Sequence, residues 1–225
     1  MAEPENISTR ILEFYQTLSA PAKLPKSVET LNPYQTDEGW DTTSRFYHKY
    51  YTDKRSRRML FGINPGRFGG GITGVPFTDP LLLETVCDIE NSFNKRAELS
   101  SRFIYEMIAS YGGPEEFYNK FYITGMSPLG FVQDGKNLNY YDLADWQKIF
   151  EKDMTAWVKA QLKFNIDTSV AYSIGQGQNL KFLNRLNDEH GFFDEIVPLP
   201  HPRWVMQYRL KRKAEFIAEY LEKLG

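Results

Sequence analysis

Met59-Leu60-Phe61-Gly62-Ile63-Asn64-Pro65-Gly66 is a short apolar run that stops in a turn signal. Residues 59–63 show no polar alternation, as expected of a strand buried on both faces. Asn64-Pro65-Gly66 then ends it, because proline donates no hydrogen bond and glycine opens the backbone. The same grammar recurs three times. Residues 121–124 run into Ser127-Pro128-Leu129-Gly130, residues 169–174 into Gly175-Gln176-Gly177-Gln178, and residues 195–199 into Pro200-His201-Pro202. Helical patterns fill the gaps, at 81–89 and 102–111, then 143–164, then 180–186.

Strands that alternate with helices predict an α/β fold, with a parallel sheet covered by helices on both faces. Ligands in such sheets bind beyond the carboxyl ends of the strands, so the four polar loops are expected on one rim. Before the first strand, the spacing predicts a helix over 7–18, an extended connection broken by Pro21, Pro25 and Pro33 that reaches Trp40, and a second helix at 46–51. A single helix over 204–224 is expected to close the chain. No repeat, low-complexity tract or second domain is visible, so residues 1–225 read as one domain.

The 225 residues are 41% hydrophobic and 15% aromatic, enough to bury a sizeable core. A formal net charge of −2 lacks the global basicity of many nucleic-acid binders, so any DNA contact must be local. Two basic clusters qualify, Lys54, Arg55, Arg57 and Arg58, and Arg203, Arg209, Lys211, Arg212 and Lys213. Either one can equally be a solvated face. The single cysteine, Cys87, forms no internal disulfide, and the acidic start at residues 1–5 is unlike a signal peptide; a cytoplasmic protein is expected. No apolar run approaches the roughly 18 residues of a membrane span.

The stretch Gly62-Ile63-Asn64-Pro65-Gly66-Arg67-Phe68-Gly69-Gly70-Gly71-Ile72-Thr73-Gly74-Val75-Pro76-Phe77 carries most of the chemistry. It lacks the Gly-Lys-Ser/Thr ending of a P-loop and the spacing of a dinucleotide fingerprint. A plain surface loop is the bland alternative, although long loops without a task are uncommon in compact domains. There is no Gly-x-Ser-x-Gly elbow, His-Glu-x-x-His or Cys-x-x-Cys pair. With His48, His190 and His201 as the only histidines, neither a metal nor a cofactor is expected.

This loop resembles the first motif of the uracil-DNA glycosylase superfamily, in its single-strand-selective monofunctional branch. That pattern is Gly-Met-Asn-Pro-Gly-Pro-Phe-Gly followed by Thr-Gly-Val-Pro-Phe. Here Ile63 replaces the methionine and Arg67 the second proline. His201-Pro202 stands where the second motif begins, continued by Arg203-Trp204-Val205 in place of Ser-Pro-Arg, and Leu31-Asn32-Pro33-Tyr34 resembles an upstream Tyr-Asn-Pro stretch. The resemblance implies a three-layer α/β/α sandwich around a four-stranded parallel sheet, in agreement with the strand count.

It further implies a set of roles. His201 donates to the oxygen of the departing base, helped by the loop backbone at Ile63 and Gly66. Asn64 orients the attacking water, and Phe77 stacks on the flipped base. Without the motif, His201 is an ordinary surface histidine, Asn64 a turn former, and Phe77 and Phe68 core residues. Arg203, Trp204, Val205 and Met206 stand in the place of the wedge that enters the emptied stack, and Arg209 tracks the DNA backbone with its basic neighbours.

Aligning the family's Cys-Pro-Leu with Ser127-Pro128-Leu129 puts Gly125 where the family has a base-reading asparagine. A roomier pocket follows, with a substrate range extended from uracil to other deaminated bases such as xanthine. No lysine stands in the motif loop or beside His201, so a monofunctional enzyme that leaves an abasic site is expected. It would act on damaged DNA as a monomer. A non-catalytic reader of damaged or single-stranded DNA would share the same signature, and hydrolysis of free nucleosides is a third possibility.

Overall fold

The computed structural model describes residues 6–225; the acidic start at residues 1–5 lies outside the described residues. Asn6 opens helix α1 (Ile7–Gln16) by accepting the Thr9 amide, and the helix buries Ile7, Ile11, Leu12 and Tyr15. The extended connection contains a short strand, β1 (Glu29–Leu31), and ends earlier than expected. After a 3-10 turn at Pro33–Gln35, Thr36 caps helix α2 (Asp37–Tyr50) by accepting the Gly39 amide. The aromatic stretch is therefore only the last part of that helix, whose first turns carry Asp37, Glu38 and Asp41 and show little apolar periodicity.

The central strand β2 (Arg57–Gly62) leads through α3 (Gly70–Thr73), α4 (Pro80–Thr85), α5 (Leu99–Tyr111) and α6 (Pro114–Lys120) to β3 (Phe121–Gly125). A hairpin of β4 (Gly130–Gln133) and β5 (Lys136–Leu138) follows, then a 3-10 turn at Tyr140–Asp142, α7 (Trp146–Gln161), β6 (Ile166–Ile174), α8 (Gln178–His190) and β7 (Glu195–Leu199). The chain closes with α9 (Pro202–Tyr208), a 3-10 turn at Leu210–Arg212 and α10 (Lys213–Leu224).

Strands β3, β2, β6 and β7 form a four-stranded sheet in that order, all parallel, flanked by helices as the alternation of runs predicted. Register runs from Arg58 opposite Phe121 to Gly62 opposite Gly125, and from Val170 opposite Glu195 to Ile174 opposite Leu199. The carboxyl ends therefore coincide on one rim. A second sheet, not expected from the sequence, pairs β1, β4 and β5 antiparallel. Its hairpin turns on Asp134 and Gly135, both with positive φ (49° and 69°), a favoured pairing for a two-residue turn.

The expected single closing helix is broken. Arg209, at φ −135° and ψ 24°, leaves helical geometry, so α9 and α10 pack on α5 as separate pieces. In the first basic cluster, Arg57 proves structural, while Lys54 and Arg55 are exposed. The cluster lies at the amino end of β2, opposite the site, and Arg57 is fully buried. Its guanidinium donates to Asp53 Oδ1 (2.8 Å) and Oδ2 (3.2 Å) and to the carbonyls of Tyr118 (2.6 Å) and Tyr50 (3.2 Å). Removing the counter-charge would leave a buried cation underpaired. Asp53→Ala is expected to lower stability by about 3 kcal/mol, measured by urea unfolding with an unchanged m-value. A loss below about 0.5 kcal/mol, as for an exposed pair, would contradict this.

Candidate active site

Three of the four rim loops line one cavity of about 340 Å³, and the fourth supports it from behind. The β2 loop contributes Ile63, Asn64, Gly66 and Phe77, the end of β3 contributes Gly125, and the loop after β7 contributes His201 and Arg203. The loop after β6 does not line it; Gly175 there packs against the His201 ring, and its amide donates to Leu199 O at 2.9 Å.

Asn64 is held by main-chain groups on both sides of its amide. Nδ2 donates to Leu138 O (3.1 Å), and Oδ1 accepts from the Tyr140 amide (3.1 Å). A carbonyl can only accept and an N–H can only donate, so this amide cannot be flipped. Tyr140 is itself fixed, its hydroxyl donating to Asn179 Oδ1 (3.0 Å) while Asn179 Nδ2 donates to Gly62 O (3.3 Å). One N–H and one lone pair of Asn64 remain for a water.

His201 caps α9, and its Nδ1 accepts the Arg203 amide at 3.2 Å. With Nδ1 as acceptor, the neutral ring carries its proton on Nε2. Burial, and secondarily the Arg203 charge, push the imidazole pKa down to about 4. The ring is therefore a neutral Nε2–H donor on the cavity wall at physiological pH.

Phe77 adopts a left-handed backbone (φ 52°), a conformation that costs energy in a bulky residue and recurs at functional sites. Its ring lies over Gly62, where a Cβ would come within 2.8 Å, so only glycine lets the ring approach. The expectation that Gly125 widens the pocket is corrected. A Cβ there would stand 2.3 Å from Ser127 O, so backbone fills the space a side chain would need. Ser127 itself is buried and stays outside the cavity lining, its hydroxyl donating to Leu129 O at 2.8 Å and accepting the Leu129 amide.

The segment expected to form the wedge divides by helical geometry. Val205 and Met206 are buried beneath α9, whereas Arg203, Trp204, Gln207 and Tyr208 face the cavity mouth, Tyr208 being 66% exposed. Arg209 stacks its guanidinium on Trp204 at 4.9 Å. Phe68, outside the lining, has the guanidinium groups of Arg67 (4.5 Å) and Arg96 (3.7 Å) over its ring. Several lining residues were not singled out from the sequence, among them Glu98, Asn137, Asn139 and Tyr141. The Asp134-Gly135 turn, a hairpin signal, could have pointed to Asn137 and Asn139 beside it. Among the described residues, no group of three or more His, Cys, Asp or Glu could hold a metal ion, and no helix is long and apolar enough to cross a membrane.

Comparison with known proteins agrees with this geometry. The family model of the uracil-DNA glycosylase superfamily matches residues 48–225, most of the chain. The chain belongs to that superfamily and is a DNA glycosylase of its single-strand-selective, SMUG-like branch. It is similar to the crystal structure of wild-type Pedobacter heparinus SMUG2, with a TM-score of 0.93 and 39% identity over 98% of this chain and 97% of that one. A search of curated proteins finds no match.

The histidine has a direct test. Because its folded pKa lies below the usual 6.5, the unfolded chain binds the extra proton first, so this group's stabilisation is complete above about pH 6.5 and is lost as pH falls toward 4. Ring nitrogen NMR is expected to show His201 titrating near 4 with its proton on Nε2. An ordinary midpoint near 6.5, or a proton on Nδ1, would refute the assignment.

Proposed function

We propose that the chain works as a single catalytic domain that hydrolyses the N-glycosidic bond of uracil in DNA, extends this to other deaminated bases such as xanthine, and leaves an abasic site. One observation carries the reading: a histidine fixed as a neutral Nε2–H donor and an asparagine with a locked amide face the same cavity as a stacking ring. In the reaction the C1′–N bond breaks and its electron pair leaves with the base as an anion, while a water oxygen bonds to C1′ and the proton that water sheds neutralises the departed base. His201 Nε2–H stabilises the charge that grows on the base oxygen. Being neutral, it acts as a hydrogen-bond donor and not as a cation or a general acid.

Asn64 orients the water; it cannot take its proton as a carboxylate would, so the positive charge on the sugar must develop before attack. Phe77 supplies the flat wall for the flipped base. A cavity of about 340 Å³ leaves room for a purine as well as a pyrimidine, which supports the wider range. Arg203, Trp204 and Arg209 are the groups we assign to DNA contact, a reading supported by the position of Arg203 and Trp204 at the cavity mouth and the stacking of Arg209 on Trp204, with Val205 and Met206 as the packing beneath them. We take the enzyme to act as a monomer in the cytoplasm, on DNA alone and without a cofactor.

The test is base release from labelled oligonucleotides carrying uracil, xanthine or hypoxanthine, single- and double-stranded. His201→Ala is expected to slow single-turnover release roughly 10²–10³-fold, and Asn64→Ala roughly 10²-fold or more. Tight binding without release would select a damage reader instead, and strand cleavage without alkali would contradict monofunctional chemistry. Arg203→Ala is expected to weaken DNA binding and flatten its dependence on salt, read from affinities at several salt concentrations. An unchanged salt slope would remove Arg203 from the DNA interface.

A further inference from the structure

The cavity wall at Gly66 carries two polar side chains that the hydrolysis leaves unused. Glu98 stands at the head of α5, where its Oε2 accepts the Ser101 hydroxyl at 3.1 Å. Asn137, on β5, uses its Oδ1 to accept the Arg67 amide at 3.0 Å. Each is thus anchored by one atom and offers the other to the cavity. A Cβ placed on Gly66 would lie 3.0 Å from Glu98 Oε1 and 3.1 Å from Asn137 Nδ2.

Asn137 has a fixed orientation, because an oxygen must face the Arg67 N–H and the NH₂ must then face Gly66. Glu98 Oε1 is an acceptor in the ionised carboxylate; burial pushes the carboxyl pKa above the usual carboxylate range, a push that the Ser101 hydroxyl and the Arg203 charge oppose in part. A fixed acceptor therefore stands beside a fixed donor, both within reach of one point on the wall. That pair complements an edge with an N–H next to a C=O, carried by the imides of uracil and xanthine and by the lactam of hypoxanthine. In cytosine and adenine the ring nitrogen accepts and the exocyclic amine donates, so the same pair would meet like with like.

We propose that Glu98 and Asn137 are the specificity-determining pair that reads the N–H and C=O edge of the flipped base, doing the work for which Gly125 has no side chain. The proposal rests on the glycosylase reading for the identity of the ligand as a base. It deepens that reading by assigning selection of deaminated bases to a β5–α5 wall instead of to the end of β3. A base held there would lose a well-made hydrogen bond if either side chain were removed, and a buried partner would be left unpaired.

The test compares binding of single-stranded oligonucleotides that carry one 2′-fluoro-deoxyuridine or one 2′-fluoro-deoxycytidine, in which the fluorine suppresses base release. The wild-type protein is expected to prefer the uracil oligonucleotide. Glu98→Ala and Asn137→Ala should each reduce that preference roughly tenfold or more, in variants that remain folded by circular dichroism. Asn137→Asp, which exchanges the donor for an acceptor, should abolish it. Preference in the wild type without turnover of ordinary uracil DNA would support the edge reader while removing the glycosylase reading. Wild-type-like preference in all three variants, or none in the wild type, would overturn the edge reader and leave base release standing.

Discussion

The carbonyl of Gly62, last in the central strand, accepts the Met126 amide at 2.9 Å and Asn179 Nδ2 at 3.3 Å, and from this pair of bonds the geometry of the site follows. The first bond ties the end of β2 to the turn after β3; the second ties it to the start of α8. The next carbonyl, Ile63 O, accepts the Ser127 amide at 3.1 Å and extends the first tie by one residue. Asn179 passes the constraint through Tyr140 to the backbone that grips Asn64. A buried polar chain of this kind is strong only when every member is satisfied, and here each side chain along it has its partner.

The same rim shows how little chemistry the protein supplies. No carboxylate takes the position of Asn64, and the histidine is uncharged. Under the roles proposed for Asn64 and His201, catalysis comes from groups set in advance around the charge that develops, a mechanism in which rigidity substitutes for proton transfer. That explains why such short segments are so heavily anchored. Nδ1 of His201 is occupied by its own helix, the Asn64 amide is held at both ends, and Phe77 lies on a backbone that tolerates no Cβ.

Much of this was legible in the sequence, for identifiable reasons. Buried parallel strands are continuous apolar runs, so β2, β3, β6 and β7 stood out, and their turn signals placed Asn64, Phe77 and His201 together. What was not legible depends on contacts between distant segments. The amide lock on Asn64 comes from residues 138–140, and nothing local in Asn64-Pro65-Gly66 announces it. Val205 and Met206 were grouped with Trp204 because residues 203–206 together stand in the place of the family's wedge, whereas a helix turns two of them inward. The room attributed to Gly125 was an inference from a missing side chain, and only the path of Ser127 reveals that backbone occupies it. Glu98 carries no motif at all. It became visible as a pocket residue only when α5 was placed against the glycine-rich loop.

The most direct measurement is a crystal structure of the protein with a single-stranded oligonucleotide bearing 2′-fluoro-deoxyuridine. A uracil stacked on Phe77, with its oxygen about 3 Å from His201 Nε2 and a water on Asn64, is the predicted result. A base that stays outside the cavity, or an oxygen held by some other donor while His201 faces solvent, would contradict the account.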